Sequence, residues 1–186
     1  MSALKIYNAN DVRELDATTN QAAISRKLAT IDVLFEQWTA NQPLGERDSN
    51  DKILAAYSDP VDRLRSRYGF QSADVISVQP DHPDREALRK KFLDEHTHSD
   101  FEVRFFVRGQ GLFYIHVDDK VYCVLCEKGD LISVPANTRH WFDMGTRPQL
   151  TCIRLFTTPE GWVANYTGDN IARRFPSFDD LMQEAA

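Results

Sequence analysis

Two histidines and a glutamate lie close together in the segment HTHSDFE, residues 96–102. His96 and His98 are two residues apart, so in an extended strand both side chains point to the same face. Ionisable groups are costly to bury unless an opposite charge compensates them. Imidazole and carboxylate groups suit iron, nickel, manganese or zinc, whereas calcium prefers oxygen ligands alone. We therefore predict that His96, His98 and Glu102 bind one metal ion.

A fourth ligand candidate is His140, at the end of the segment GDLISVPANTRH, residues 129–140. It follows a predicted strand and a proline turn, and antiparallel pairing of neighbouring strands would bring it opposite the first three candidates. The other histidines have a simpler interpretation. His82 lies in a proline-flanked loop, and His116 has no ionisable neighbour at strand spacing. We interpret both as ordinary core or surface residues.

Arg104 lies two residues after Glu102, so it shares the same face of the predicted strand. A guanidinium group stays positively charged, and it can therefore stabilise an oxyanion without taking up a proton. We predict a catalytic role for Arg104, and the alternative is an arginine at the surface.

Cys123 and Cys126 form a CxxC pair inside the run KVYCVLCE. Residues three apart in a strand point to opposite faces, so the two thiols cannot share one metal ion without a bend. The sequence contains no second CxxC that would complete a zinc site. With Cys152 the cysteines are three, an odd number that fits a reducing compartment. We predict two buried thiols.

The composition indicates one globular domain, because 186 residues are enough for one sizeable core. The formal charge of −6 argues against nucleic acid as a partner, since a phosphate-binding surface needs excess Lys and Arg. The first residues lack the basic start and apolar run of a signal peptide, and no segment reaches the roughly 18 apolar residues of a membrane-spanning helix. We expect a cytoplasmic protein with no membrane partner.

The region of about residues 1–93 is predicted to be mainly helical. An apolar stripe at spacings of three and four residues runs through 24–38. The segments DPVDRL and HPDREALRKKF begin two further helices, each with proline near the first position. A short strand is predicted at 74–79.

From about residue 95 to 165, short runs rich in Val, Ile, Phe and Tyr alternate with the turn signals GQG, DDK, KGD and PANTR. Strands of this length with tight turns are typical of an antiparallel sandwich or barrel. A helix over about 177–186 begins at Ser177, with Asp180 completing a capping box. We predict a mainly β fold in which N-terminal helices pack against one small barrel, as a single domain over 1–186.

Two motifs resemble those of the cupin barrels, whose fold is a double-stranded β-helix, or jelly roll. HTHSDFEVRFFVRG is similar to the first cupin motif, with its HxH, its glutamate and its closing glycine. GDLISVPANTRH resembles the second motif, with its glycine, proline and final histidine. Asn137 stands where the second motif usually has glycine, and asparagine tolerates a left-handed backbone better than most residues.

Three longer blocks resemble the acireductone dioxygenases in particular. They are FLDEHTHSDFEVRFFVRGQG, VYCVLCEKGDLISVPANTRHWFDMG and IRLFTTPEGWVANYTGDNIARRFP. The resemblance implies that one Fe(II) or Ni(II) per chain is bound by His96, His98, Glu102 and His140. It also implies that Arg104 assists formation and orientation of a substrate dianion.

The substrate implied by the resemblance is 1,2-dihydroxy-3-keto-5-methylthiopentene, an acireductone of methionine salvage that reacts with O2. Its enediol can lose two protons and chelate a metal through two oxygens. The iron form is expected to yield 2-keto-4-methylthiobutyrate and formate, and the nickel form methylthiobutyrate, formate and carbon monoxide. The sequence does not determine which metal is bound, because both ions fit the same ligands.

Other residues are expected to surround the substrate. Arg154 supplies a second positive charge, and the alternative is a structural ion pair. Phe92, Phe142 and Trp162 contact the methylthio group, because aromatic surfaces suit a thioether, and the alternative is a plain core role.

Two positions next to the ligands complete the expected site. Glu95 matches a family position linked with metal loading. Phe101 departs from relatives that carry an acidic residue beside the glutamate ligand, and this leaves the role of that position open.

Three other functions are compatible with the same residues. A cupin sensor would bind a small molecule without consuming oxygen, a structural barrel would purify without stoichiometric metal, and another cupin enzyme would act on a different substrate. For an acireductone dioxygenase, the expected partners are the acireductone and O2. A monomer is expected, because barrel closure limits exposed strand edges.

Overall fold

The computed structural model describes residues 1–46, 48–158 and 163–184. Its helices are α1 (Gln21–Ala29), α2 (Asn50–Ala56), α3 (Ser58–Tyr68), α4 (Arg85–Leu93), α5 (Phe178–Glu184) and a 3-10 helix (Ile171–Arg174). Its strands are β1 (Ala3–Asn8), β2 (Glu14–Thr18), β3 (Leu34–Gln37), β4 (Ser72–Val78), β5 (His96–Thr97), β6 (Glu102–Val117), β7 (Lys120–Glu127), β8 (Asp130–Val134), β9 (Arg139–Asp143), β10 (Leu150–Phe156) and β11 (Asn165–Tyr166). Among these helices, none is both long enough and apolar enough to span a bilayer.

The strands form an 11-stranded antiparallel sheet that folds over on itself through the long strand β6. One layer has the order β11-β5-β9-β6-β7-β1-β2, and the other places β10 and β4 on one side of β6, with β8 and β3 on the other. Apolar side chains from both layers, such as Phe106, Phe113 and Ile132, form the central core between them. The predicted jelly roll is confirmed, although over the described residues the sheet does not close into a complete barrel.

The turn predicted at GQG is wrong, because residues 102–117 form one continuous strand. Gly109 has a φ of +73°, and a Cβ at this position would lie 1.7 Å from the backbone oxygen of Gln149. The register against β10 shifts two residues earlier in β6, at Val107, because Thr151 pairs with Arg108 and Cys152 pairs with Phe106. Glycine therefore allows the strand to bend from one layer into the other instead of reversing.

The prediction of a mainly helical region before residue 94 is wrong in part, because the strands β1, β2 and β3 lie there beside helices α1 to α4. The stripe through 24–38 predicts one helix, but α1 ends at Ala29. Asp32 then has a φ of +60°, which a continuing helix cannot contain. Beyond it, Val33 and Phe35 are buried at strand spacing, and β3 pairs with β8.

The other predicted elements are present. Helices α3 and α4 cover the two proline-initiated segments, and β4 covers most of the strand predicted at 74–79. At α5, the Ser177 hydroxyl accepts from Asp180 N at 3.2 Å, and the Asp180 carboxylate accepts from Ser177 N at 2.8 Å, which confirms the capping box. The single-domain organisation stays a prediction.

The cysteines are buried free thiols, as predicted. Cys123 and Cys126 belong to core clusters on opposite faces of β7. Burial raises the pKa of Cys123 to about 12, and it also raises the pKa of Cys126. Neutral thiols of this kind are poor metal ligands and poor nucleophiles.

Candidate metal centre

Four buried side chains converge between the two layers of the sheet. His96 on β5 lies opposite His140 on β9, Glu102 begins β6, and His98 follows β5 in a loop. One ligand atom from each of the four lies within 4.8 Å of the others. The Nε2 atoms of His98 and His140 lie 3.0 and 2.9 Å from Glu102 Oε2. The structure thus brings together the four predicted ligands.

The backbone orients all three imidazole rings. Each Nδ1 donates to a backbone carbonyl oxygen. These pairs are His96 with Asp94 (2.7 Å), His98 with Val163 (3.0 Å) and His140 with Thr138 (2.8 Å). A carbonyl oxygen only accepts, so Nδ1 carries the proton and Nε2 of the neutral ring presents its lone pair to the centre. This is the tautomer that a metal ligand coordinating through Nε2 requires.

The arrangement calls for a positive charge at its centre. With neutral rings, the Nε2 lone pairs of His98 and His140 face an oxygen of the Glu102 carboxylate, so accepting atoms lie at hydrogen-bond distance from one another. A divalent cation bound to all of these atoms removes the repulsion. Three imidazoles and one carboxylate are a donor set for a first-row transition metal, and the residues therefore fit such an ion.

Burial and neighbouring charges set the protonation of the ligands. Burial acts to raise the pKa of Glu102, but Arg104 and His140 outweigh it and hold that pKa well below its usual range. Burial first, and His140 second, lower the pKa of His96 to about 4. At neutral pH, Glu102 is therefore a carboxylate and His96 a neutral ring, which are the forms that bind metal.

The metal-free protein is expected to lose stability in acid. Because the pKa of His96 is lowered from 6.5 to about 4 on folding, the unfolded chain takes up the proton first as the pH falls. The free energy of unfolding is therefore highest above pH 6.5, and it falls by about 3 kcal/mol as the pH falls towards 4. The lowered pKa of Glu102 acts in the same direction at still lower pH.

Urea unfolding of the metal-free protein at about pH 7.5 and about pH 4.5 measures this loss. The variant His96→Asn should reduce the difference between the two pH values. The matched control His82→Asn, in a loop outside the site, should leave the difference unchanged. An equal free energy of unfolding at both pH values would contradict the prediction.

Arg104 is enclosed next to the ligands. It is 2% exposed, and its Nε lies 2.8 Å from Glu102 Oε1, so the surface alternative is wrong. Its guanidinium carbon lies 4.4 Å from the ring centre of Phe142 and 5.2 Å from that of Phe92. A third ring, that of Phe113, lies 5.3 Å away. Phe92 and Phe142, two of the three aromatic residues predicted to contact the substrate, therefore contact Arg104.

The sequence analysis missed Phe113 for a physical reason. Alternation counted from Glu102 places residue 113 on the opposite face of the strand. The strand has a bulge at Val107 and a positive φ at Gly109, and along this stretch the alternation shifts by one residue, so Phe113 faces the core together with Phe106. Finding Phe113 from the sequence would have required a signal for this irregularity in the strand.

Arg154 forms an ion pair in this structure. It lies on β10 opposite Arg104, and its Nε donates to Asp74 Oδ1 at 2.7 Å. The ion pair kept as an alternative is therefore present, and contact with substrate stays a prediction. Trp162 lies outside the described residues.

Glu95 lies beside the ligands but is directed away from them. Its Oε1 lies 2.6 Å from His116 Nδ1, and its Oε2 accepts from Thr167 Oγ1 at 2.8 Å. The sequence analysis treated His116 as an ordinary core or surface residue. The residue is buried, but its ionisable partner Glu95 lies just before β5, and strand spacing within β6 cannot reveal that contact. The His82 side chain, in contrast, accepts a local hydrogen bond from Asp84 N at 3.1 Å.

Asp100 fixes the loop between β5 and β6. This residue is 8% exposed, and it accepts from the backbone N of Phe101 at 2.7 Å and of Thr157 at 2.8 Å. Phe101 itself is 44% exposed. The acidic group of this loop therefore stands one residue before Phe101, and it joins the ligand loop to the residue that follows β10.

Asn137 has a φ of +61°, the left-handed conformation that the sequence analysis considered. Its backbone N donates to the carbonyl oxygen of His98 at 2.7 Å, which joins the β8–β9 turn to the ligand loop. We expect Asn137→Ala to lower the free energy of unfolding by about 1 kcal/mol, because alanine is strained there. The control Asn137→Gly should match the parent in urea unfolding. Equal loss in both variants would contradict the explanation by backbone strain.

Together, the jelly roll and the four ligands between its layers define a metal-binding cupin. The chain belongs to the ARD/ARD' family, which matches residues 4–164. It is 56% identical to the acireductone dioxygenase of Methylococcus capsulatus over 186 residues, which cover 100% of both chains. It is also 56% identical over 182 residues to that of Aquifex aeolicus, covering 98% of this chain and 99% of the relative.

A solved structure has the same fold. It is an acireductone dioxygenase from Bacillus anthracis with a cadmium ion in its active centre, and it is 35% identical to this chain. The match has a TM-score of 0.80 and covers 89% of this chain and 98% of the other. The cupin-type fold class is therefore confirmed.

Proposed function

We propose that this chain catalyses the reaction of 1,2-dihydroxy-3-keto-5-methylthiopentene with O2 in methionine salvage. The observation that carries the proposal is the convergence of His96, His98, Glu102 and His140, with each ring oriented by a backbone carbonyl. Membership of the ARD/ARD' family supports it, as does the name acireductone dioxygenase shared by the relatives.

These four residues would hold one Fe(II) or Ni(II) per chain. The bound metal would supply Lewis acidity, which favours the substrate dianion and fixes its two chelating oxygens. Arg104 would stabilise negative charge on the substrate without accepting a proton. The aromatic rings around its guanidinium group keep it away from bulk water, and this strengthens its interaction with an anion.

The remaining assignments follow from the same proposal. Arg154 would add positive charge near the substrate, and Phe92, Phe142 and Trp162 would contact its methylthio group. Glu95 would assist metal loading through its position next to His96. We expect the enzyme to act as a cytoplasmic monomer.

The two metals should direct different cleavages. With iron, the expected products are 2-keto-4-methylthiobutyrate and formate. For nickel, methylthiobutyrate with formate and carbon monoxide would contain one carbon atom more than the substrate supplies. Carbon balance therefore corrects the expected acid to 3-methylthiopropionate, formed together with formate and carbon monoxide.

The test is oxygen-dependent loss of acireductone absorbance by protein loaded separately with Fe(II) and Ni(II), with carbon monoxide measured in the headspace. We expect rapid loss with iron, and carbon monoxide only with nickel. The variant His98→Ala should abolish both activities. If protein shown to contain either metal leaves acireductone unchanged, the proposal is wrong, and acireductone binding without oxygen uptake would indicate a sensor.

A further inference from the structure

A polar cluster lies next to the start of β5, and its side chains are directed away from the metal ligands. Its centre is Glu95, which is 1% exposed. His116 Nδ1 and Thr167 Oγ1 lie 2.6 and 2.8 Å from the two oxygens of its carboxylate, one on each. Both carboxylate oxygens thus have a donor, one from β6 and one from the chain after β11.

Strand β5 carries the ligand His96, and the ligand His98 follows it directly, so a very short element positions both residues. Strand β5 has two residues and pairs with β9 only at His96 and His140. A strand this short is stabilised only weakly by its own backbone hydrogen bonds, so other contacts must fix its position.

The segment 163–167 supplies those contacts. The carbonyl oxygen of Val163 accepts from His98 Nδ1 at 3.0 Å, and Tyr166 pairs with His96. The backbone N of Thr167 donates to the carbonyl oxygen of Glu95 at 3.1 Å. The segment therefore holds β5 from its outer edge, and the Glu95 carboxylate ties both of them to β6.

We infer that His116 and Thr167 are positioning residues, which act through Glu95 to hold His96 and His98 in the geometry that binds metal. The inference rests on the metal centre of the proposed function. Groups outside the ligand set that orient the ligands typically change metal affinity by 10–100-fold when they are removed. Neither residue contacts the metal or the substrate in this inference.

The test measures Co(II) affinity by competition with a chromophoric chelator, together with the visible spectrum of bound Co(II). Thr167→Val should weaken Co(II) binding by roughly 10–100-fold and change the spectrum. Thr167→Ser keeps the hydroxyl and should restore both. The exposed residue Thr39 offers a matched control, and Thr39→Val should behave like the parent.

His116→Phe tests the other donor, and His116→Gln keeps an amide N–H near Glu95 as the conservative variant. Affinity within about threefold of the parent in both Thr167→Val and His116→Phe would overturn the inference, as would an equal loss in Thr167→Ser. Because Thr167 lies at the surface, its substitution opens no core cavity, so this arm does not depend on whether His116→Phe folds. Co(II) affinity is measured without acireductone, so a parent that binds Co(II) but is inactive contradicts only the proposed function.

Discussion

Replacing Glu102 with glutamine is expected to remove metal binding and, with it, turnover. Glutamine has nearly the same shape but carries no charge, and Glu102 is the only anion among the four ligands. Its carboxylate lies within 3.0 Å of His98, His140 and Arg104. We expect metal affinity to fall by more than the roughly 100-fold that loss of an outer hydrogen-bond partner costs.

The same change should destabilise the metal-free protein. Arg104 is 2% exposed, and Glu102→Gln takes away the carboxylate next to its buried charge. Breaking a buried ion pair from one side typically costs about 3–5 kcal/mol. Metal content after dialysis and urea unfolding of the metal-free protein measure the two effects separately.

Two variants control this experiment. Glu102→Asp keeps the charge but shortens the side chain, so it should bind metal more weakly than the parent and more tightly than Glu102→Gln. Glu86 lies on the exposed face of α4, and Glu86→Gln should match the parent in both measurements. Full metal content in Glu102→Gln would remove Glu102 from the ligand set.

The spacing of residues along the chain was sufficient to predict the candidate ligands, because three of the four lie close together in the sequence. His96, His98 and Glu102 fall within one short segment, and their mutual reach depends only on strand geometry. His140 is farther along the chain, but tight turns restrict how the intervening strands can pair, and β9 lies directly next to β5. Short strands and tight turns could likewise predict an antiparallel sandwich or barrel, and the resemblance to the cupin motifs narrowed this prediction to a jelly roll.

The surroundings of the ligands could not be predicted in the same way. The position of Phe113 depends on a bulge that shifts the alternation of side chains, and the contact between His116 and Glu95 joins two segments that only the fold brings together. The prediction for the N-terminal region was wrong for another reason. Apolar residues three and four apart in 24–38 are compatible with one long helix, and they are also compatible with a shorter helix followed by a strand. The second structure forms because β3 pairs with β8.

Arg104 should behave differently from Glu102 if its role is to stabilise substrate charge. We expect Arg104→Ala, and the larger variant Arg104→Met, to retain metal while turnover falls by about 10²–10³-fold, the usual effect of removing one donor to a developing oxyanion. Arg104→Lys keeps the charge but loses the planar group that stacks on Phe142, so it should be intermediate. Turnover by protein saturated with Fe(II), together with its metal content, is the measurement.

The comparison with Glu102 makes this prediction specific. Arg104 lies 2.8 Å from Glu102 Oε1, so it has two possible actions: on the substrate, or on the ligand that it contacts. If it only held Glu102, metal affinity would fall together with turnover, and saturating metal would restore activity in Arg104→Met. If it acts on the substrate, turnover stays low at full metal occupancy, while the exposed control Arg26→Met remains as active as the parent. Unchanged turnover in Arg104→Met would exclude both actions, because the three rings around the guanidinium group would then have only a packing role.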